Sequence, residues 1–240
     1  MRFLPWPSPS PLTLPITLTI TLTLTLALSV CAQQQSQETL MKNCIVQLHD
    51  GALLVRLSTK QNAIQALQKE KNYFLAQRIA DEQRAYNLEI VNAFRSAFDF
   101  CPVYFFYSHD SRAVQDRIFS TVKFLNDSLK EDSSIHFSSE NFLIGEFGFV
   151  EADTTTYFED YYYQADEHGL QKRQQRYGSS GVGFGALLIR SDQFVQLTDP
   201  FPYYVRTFGA LPSGRKEVKV VEKMNEALHE YYGQALISTH

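Results

Sequence analysis

Short apolar runs alternate along the chain with longer stretches of helical periodicity, which predicts strands and helices in turn. The run Leu53–Leu57 follows the turn signal Asp50-Gly51 and predicts a strand. From Ile64 to Phe98, apolar residues recur at steps of three and four, which predicts a long amphipathic helix. The polar residues 69–72 interrupt this period, so we expect a kink there or a break into two helices.

The segment Pro102–Tyr107 is apolar or aromatic at every position. A strand covered on both faces has this pattern, so we expect the segment in the middle of a sheet. Together with the first strand and the helix between them, it predicts a right-handed βαβ unit with parallel strands.

The second half of the chain predicts further strands and a closing helix. Phe142–Val150 has the composition of a strand. Gly185–Arg190 and Phe194–Leu197 flank a compact turn and predict a β-hairpin. A last amphipathic helix is predicted to end before a C-cap at Gly233. Its apolar face comprises Val218, Val221, Met224, Leu228 and Tyr231.

These elements predict an α/β fold: a mixed sheet with central parallel strands, a C-terminal β-hairpin and a closing helix. The order of the last elements is thioredoxin-like, by analogy of order alone.

The first residues have the features of a secretion signal. Arg2 precedes an apolar run in which Leu or Ile alternates with Thr, and Val30-Cys31-Ala32 before Gln33 suits signal-peptidase cleavage. We therefore divide the chain into a signal peptide (residues 1–32), an N-terminal linker (residues 33–50) and a single α/β domain (residues 51–240).

Two other interpretations of the leader stay open. Leu28-Ser29-Val30-Cys31 resembles a bacterial lipobox, which would make Cys31 a lipidated anchor. The apolar run also approaches the length of about 20 residues that spans a bilayer, although its threonines and Pro15 dilute its hydrophobicity. We expect export, with membrane attachment only through a leader that stays uncleaved or is lipidated at Cys31.

Composition favours a folded globular protein and gives no reason to expect a nucleic-acid partner. The hydrophobic fraction is 44% and the aromatic fraction 13%. A formal net charge of −4 provides no overall attraction to phosphate backbones or to anionic lipid.

Cys44 and Cys101 remain after cleavage of the leader, and two interpretations of them stay open. An oxidising compartment would allow a disulfide between them, whereas two buried thiols would act as small apolar residues. The chain has no CxxC motif, so a thioredoxin-type redox centre is not indicated.

Three segments resemble an uncharacterised family of exported proteins from Bacteroidota-type bacteria: Cys101–Ser108 (CPVYFFYS), Gly183–Phe194 (GFGALLIRSDQF) and Pro200–Arg206 (PFPYYVR). The resemblance covers roughly residues 53–232. The family has no assigned activity, so the resemblance transfers no catalytic residue. It implies a periplasmic or outer-envelope location in a bacterium.

The best-placed candidate ligand site is Ser108, His109, Asp110, Ser111 and Arg112. It follows the buried strand and opens a helix, and ligands of open α/β sheets gather at the carboxyl ends of strands. Backbone N–H groups and Arg112 could there hold a carboxylate or phosphate. The alternative is that Ser and Asp are helix caps and His109 is solvated. Adjacent His109 and Asp110 point in different directions and so form no catalytic dyad by themselves.

A tyrosine-rich excursion, Tyr157–Tyr177, contains the candidate interaction surface Tyr161, Tyr162 and Tyr163. Tyrosines at a surface serve as rigid anchors for partners, although more often they line the edge of a core.

Local motifs indicate no catalytic residue, cofactor or metal. The glycine-rich segment Gly178–Gly185 precedes a strand, unlike nucleotide-binding loops. Glu146 and Glu151 face opposite sides of a continuous strand, which argues against paired carboxylates for glycoside hydrolysis. The histidines show no metal-binding spacing.

The sequence therefore favours an exported cell-envelope protein that binds a ligand or partner without catalysis. Two alternatives remain: a hydrolase with a site near His109 and Asp110, and a thioredoxin-like fold without redox activity.

Overall fold

The computed structural model describes residues 37–150, 161–166, 169–174, 184–207 and 215–237. The leader, Cys31, Glu151 and most of the glycine-rich segment lie outside these residues. The helices are α1 (residues 37–50), α2 (Gln61–Lys69), α3 (Tyr73–Ala97), α4 (Ser111–Gln115) and α5 (Glu217–Ile237). The strands are β1 (Ala52–Leu57), β2 (Val103–Tyr107), β3 (Phe124–Leu125), β4 (Phe142–Phe149), β5 (Tyr161–Asp166), β6 (Gly169–Gln174), β7 (Gly185–Arg190) and β8 (Tyr204–Arg206).

Six strands form one mixed sheet in the order β3-β2-β1-β4-β7-β8. β1 pairs in parallel with β2 and β4, while β3, β7 and β8 are antiparallel to their neighbours. Val55 of β1 therefore lies between Phe105 and Gly145. The predicted fold class, a mixed α/β sheet with parallel strands at its centre, is confirmed.

Both faces of the sheet bury apolar side chains. One face packs against α1, α3 and α5 through residues such as Phe94, Phe105 and Met224. The other face packs against α4 and the segment that follows it, through residues such as Phe106 and Val114. Because alternate residues of β2 enter the two cores, the strand is apolar at every position. It lies one place from the sheet margin, between β1 and the two-residue β3.

The interruption of helical period at residues 69–72 is a break between two helices. α2 ends at Lys69, and α3 begins after Asn72, whose side chain accepts a hydrogen bond from the Leu75 N–H at 3.3 Å. Lys71 has a φ of 59°, a left-handed conformation that α-helix cannot contain.

The domain begins earlier than the sequence predicted. Residues 37–50, expected to lie in a linker, form α1. Met41, Ile45 and Leu48 of this helix are buried in the core. These three residues have the spacing of one helix face, but the polar residues before Met41 favoured the prediction of a linker.

Two further boundaries differ from the prediction. α5 continues through Gly233 to Ile237, because Ala235 beyond the glycine is also buried in the core. Phe194–Leu197, predicted as the second strand of a hairpin, contributes one bridge between Arg190 and Gln196. The strand that pairs along β7 is β8, which begins after Pro200 and Pro202, residues that have no N–H to donate.

β5 and β6 pair with each other in a separate two-stranded sheet. The backbone of Tyr161–Tyr163 lies in β5, opposite residues 172–174 of β6. Their side chains lie outside the described part of the structure. Among the helices of the described ranges, none combines the length and the apolar character needed to cross a bilayer.

Candidate functional site

The predicted loop lies at the carboxyl end of β2. Ser108–Asp110 form one 3₁₀ turn, and Ser111 begins α4. The neighbouring strand β1 ends at the same edge, since Leu57 pairs with Tyr107. After β1 the chain leads through α2 to α3, which packs on one face of the sheet, and after β2 it enters α4 on the other. Ligands of open α/β sheets usually bind where neighbouring strands lead to opposite faces in this way. We call the region between the loops after β1 and β2 the crevice.

Hydrogen bonds join the two loops that border this crevice. The Ser111 hydroxyl donates to the Ser108 carbonyl at 2.6 Å and accepts from Nε of Arg56 at 2.8 Å. The Ser108 hydroxyl lies 3.4 Å from that of Thr59. The contacts place one guanidinium and three hydroxyl groups at the mouth of the crevice.

Arg56 is the functional candidate that the sequence analysis missed. It is the only charged residue of β1 and lies near the carboxyl end of the strand. Nη1 of Arg56 donates to Oε2 of Glu146 at 2.7 Å, and Nε of Arg190 lies 2.7 Å from Oε1 of the same carboxylate. A lone charge in an otherwise apolar strand is the sequence signal that would have found it.

Two guanidinium groups share this carboxylate, so the cluster carries a net positive charge. The side chains of Glu146 and Arg190 are 12% and 13% exposed, whereas that of Arg56 is 36% exposed. Nη2 of Arg56 has no hydrogen-bond partner within the described residues. Arg56 therefore retains N–H donors that no described residue accepts, while both carboxylate oxygens of Glu146 contact arginine.

The turn after β7 packs against this cluster. Phe194 has a φ of 61°, which is a strained conformation for an aromatic residue. Its carbonyl accepts from Nη1 of Arg190 at 3.2 Å, and its ring centroid lies 6.0 Å from the Arg56 guanidinium carbon. Backbone strain of this kind tends to occur at functional sites.

His109 and Asp110 do not form a catalytic arrangement. The His109 side chain is 43% exposed, and its Nε2 lies 3.7 Å from Oδ1 of Asp110. The other Asp110 oxygen accepts from the Lys123 N–H at 3.1 Å, so this carboxylate anchors the loop that leads into β3.

Arg112, expected to help hold an anion, lies away from the crevice contacts. Its side chain is 81% exposed, and its Nε donates to Asp116 one turn further along the chain at 2.8 Å. Arg56 instead provides the cation that contacts Ser111.

Buried polar side chains support the loop after β1. Gln83 and Asn87 of α3 are 6% and 2% exposed. The Gln83 amide donates to Oδ1 of Asn87 at 2.9 Å, and Nδ2 of Asn87 donates to the Ser58 carbonyl at 2.9 Å. This chain of hydrogen bonds fixes Ser58, and therefore Thr59, relative to α3.

The two cysteines are free thiols. Cys101 is buried, and burial raises the pKa of its thiol to about 12. Burial also raises the pKa of Cys44, with a smaller contribution from the nearby charge of Asp192. Because these pKa values are raised, both thiols are protonated at neutral pH.

A shallow depression of about 450 Å³ lies between β8 and α5. Three basic and two acidic side chains line it: Arg206, Arg215, Lys223, Glu226 and Glu230. In the described ranges, no three His, Cys, Asp or Glu side chains are grouped to hold a metal ion.

The described residues define an α/β protein with an open mixed sheet, in which Arg56, Glu146 and Arg190 form a charged cluster near the ends of the central strands. No protein-family model matches the chain, and neither does a curated protein or a solved structure.

Proposed function

We propose that the protein is an exported binding protein of the bacterial cell envelope that holds an anionic group, a carboxylate or a phosphate, in the crevice between the ends of β1 and β2. The observation that carries this proposal is the fixed guanidinium of Arg56, whose side chain is 36% exposed. Its Nε and Nη1 are fixed by Ser111 and Glu146, and its remaining donors are directed to no described residue.

This geometry suits anion recognition because it is preorganised. A guanidinium held in one orientation loses little conformational entropy on binding and donates paired N–H bonds to carboxylate or phosphate oxygens. Arg190 adds a second positive charge behind Arg56. The hydroxyls of Thr59 and Ser108 lie 3.4 Å apart beside it and supply further donors.

The hydrolase alternative has less support. The Ser111 hydroxyl donates to a backbone carbonyl and accepts from Arg56, so it is not paired with His109 as a nucleophile would be. The Asp110 carboxylate is bound by a backbone N–H. We propose binding without catalysis, in a fold that carries no redox chemistry.

Anion binding is tested by titrating the full chain with inorganic phosphate and, separately, with succinate, following the shift in thermal midpoint and the heat of binding. Arg56→Lys keeps the charge but loses the planar fork, and we expect it to weaken binding by roughly tenfold, about 1.4 kcal/mol. Arg112→Lys is the matched control, since Arg112 pairs with Asp116 outside the crevice. Equal affinities in wild type and Arg56→Lys, or an equal loss in both variants, would contradict the proposal.

Export is tested separately by mass spectrometry of the protein recovered from cells. A chain beginning at Gln33 supports cleavage after Ala32, and an acylated Cys31 supports a lipid anchor. A chain that retains its leader and stays in the cytoplasm contradicts export while leaving the anion site to its own test.

A further inference from the structure

The helical pair α2 and α3 projects beyond the sheet. Asn87 of α3 donates to the Ser58 carbonyl at the end of β1. Phe74 precedes Asn87 by thirteen residues, so it lies about 20 Å further along the helix axis at 1.5 Å per residue. α2 runs beside this part of α3 and has no buried residue. The connection between the helices therefore forms the tip of a protruding helical hairpin.

Two aromatic side chains are exposed at this tip. Tyr73 is 64% exposed and Phe74 is 80% exposed. They occupy the first turn of α3, whose N-cap hydrogen bond is made by Asn72. These rings are therefore not needed to cap the helix. Large apolar side chains that are exposed to solvent at a protruding point mark interaction surfaces.

The tip is locally cationic although the whole chain has a net charge of −4. Lys60, Lys69 and Lys71 are exposed, and within the described residues none of them forms an ion pair. Glu70 is the only carboxylate between residues 60 and 74.

The next charges along α3 lie one to two turns beyond the aromatic pair. Arg78 pairs with Glu82 at 3.6 Å, and Asp81 accepts from the Gln77 amide. Their separation from Phe74 approaches the screening length of about 8–10 Å at physiological salt, so the lysines dominate the potential at the tip.

We propose that this tip, defined as Lys69–Phe74 together with Lys60, binds the surface of an anionic phospholipid bilayer. Aromatic side chains are favoured at the level of the headgroups, and lysines beside them attract anionic lipid. Ile64 and Leu67 of α2 are half-buried and add apolar surface beside the tip. The contact is peripheral and independent of the leader and of the anion crevice.

The experiment uses tryptophan as a positional reporter, since the chain contains one Trp, Trp6 in the leader. In the full chain carrying Trp6→Phe and Phe74→Trp, fluorescence is recorded with vesicles of phosphatidylglycerol and phosphatidylcholine, with and without brominated acyl chains. We expect a blue shift and quenching by the brominated lipid. Both should disappear with pure phosphatidylcholine or at high salt.

The matched control is Trp6→Phe with Ile237→Trp. Ile237 is 79% exposed, close to the exposure of Phe74, but it lies at the end of α5. We expect no quenching there. Adding Lys69→Glu and Lys71→Glu to the Phe74→Trp chain should weaken partition by roughly tenfold or more, because each basic side chain near the surface contributes about fivefold.

Equal quenching at positions 74 and 237 would show that contact with the bilayer is not specific to the tip and would overturn the proposal. So would an unchanged emission spectrum of the Phe74→Trp chain on adding vesicles, provided that its circular dichroism matches wild type. If sedimentation shows that Phe74→Ser abolishes self-association of the chain without affecting vesicle binding, the tip is an interface between copies and the lipid proposal is wrong.

Discussion

Arg56 and Glu146 belong to neighbouring parallel strands and form an ion pair of 2.7 Å on one face of the sheet. The register aligns Val55 with Gly145, so the next residue of each strand projects to the same side. Arg190 lies on β7, on the other side of β4 from β1, and approaches the second carboxylate oxygen of Glu146. A single carboxylate thus joins three strands of the sheet.

Replacing Glu146 with Gln should destabilise the protein substantially. The change leaves two guanidinium groups side by side, one of them 13% exposed, without their shared anion. Removing one partner of a buried ion pair costs about 3–5 kcal/mol, which we reduce to about 2–4 kcal/mol because Arg56 is partly solvated. Urea unfolding measures the change. Glu131→Gln, at an exposed pair with Lys123, is the control and should shift the midpoint little; comparable losses in both variants would show that burial of the cluster is unimportant.

Two glycines should respond in opposite directions to substitution by alanine. A Cβ on Gly51 would lie 2.1 Å from the Asn141 carbonyl oxygen, a backbone atom at the start of β4. We expect Gly51→Ala to cost about 2–4 kcal/mol, because the backbone must move. A Cβ on Gly233 meets nothing within 4 Å, and the residue lies inside α5.

Gly233→Ala should therefore stabilise the protein by about 0.5–1 kcal/mol through helix propensity and a smaller unfolded-state entropy. Thermal and urea unfolding of the two variants provide the measurement. A neutral Gly51→Ala would mean that the turn before β1 tolerates displacement.

Deprotonation of the Cys101 thiol should lower the stability of the protein at alkaline pH. Burial raises the pKa of its thiol from 9.0 to about 12, so the folded state binds this proton more tightly than the unfolded chain. The contribution to stability is complete below about pH 9 and is lost as the pH rises toward 12. Urea unfolding between pH 8 and 11 should show a smaller decline for Cys101→Ala than for wild type.

Labelling gives an independent check on Cys101. In the native protein its thiol should react with iodoacetamide far more slowly than in urea, because it is both buried and protonated. Rapid labelling of Cys101 in the native protein would contradict the burial of this residue before β2.

Asp99 should contribute to stability only above mildly acidic pH. The Asn225 amide donates to its carboxylate at 2.8 Å, and His229 Nε2 lies 2.9 Å away; these contacts lower the pKa of Asp99 below 3.8. The folded state therefore binds this proton less tightly than the unfolded chain. The contribution is present above about pH 4 and is lost as the pH falls through the folded-state pKa.

Thermal unfolding between pH 2.5 and 7 should show that Asp99→Asn lowers the midpoint at neutral pH and loses this effect in acid. Asn225→Ala, which removes the first donor, should reduce the acid dependence of the wild-type curve. An effect of Asp99→Asn that stays constant across the range would exclude the carboxylate as its source.

The amino-acid sequence by itself determined the local elements, because periodicity depends only on which residues must face a core. The all-apolar β2, the break between α2 and α3 and the closing helix all followed from such patterns. Long, regular segments were predictable since every turn repeats the same signal.

Only the tertiary structure decided which distant residues meet. Parallel pairing brought Arg56 to Glu146, which are ninety residues apart, and antiparallel pairing of β7 with β4 added Arg190. No local pattern records strand order or register, so the sequence analysis selected Arg112 as the candidate cation and missed Arg56. Burial of residues on α1 likewise depends on a surface made by α5 and the sheet, so the sequence of residues 37–50 alone predicted a linker and not a packed helix.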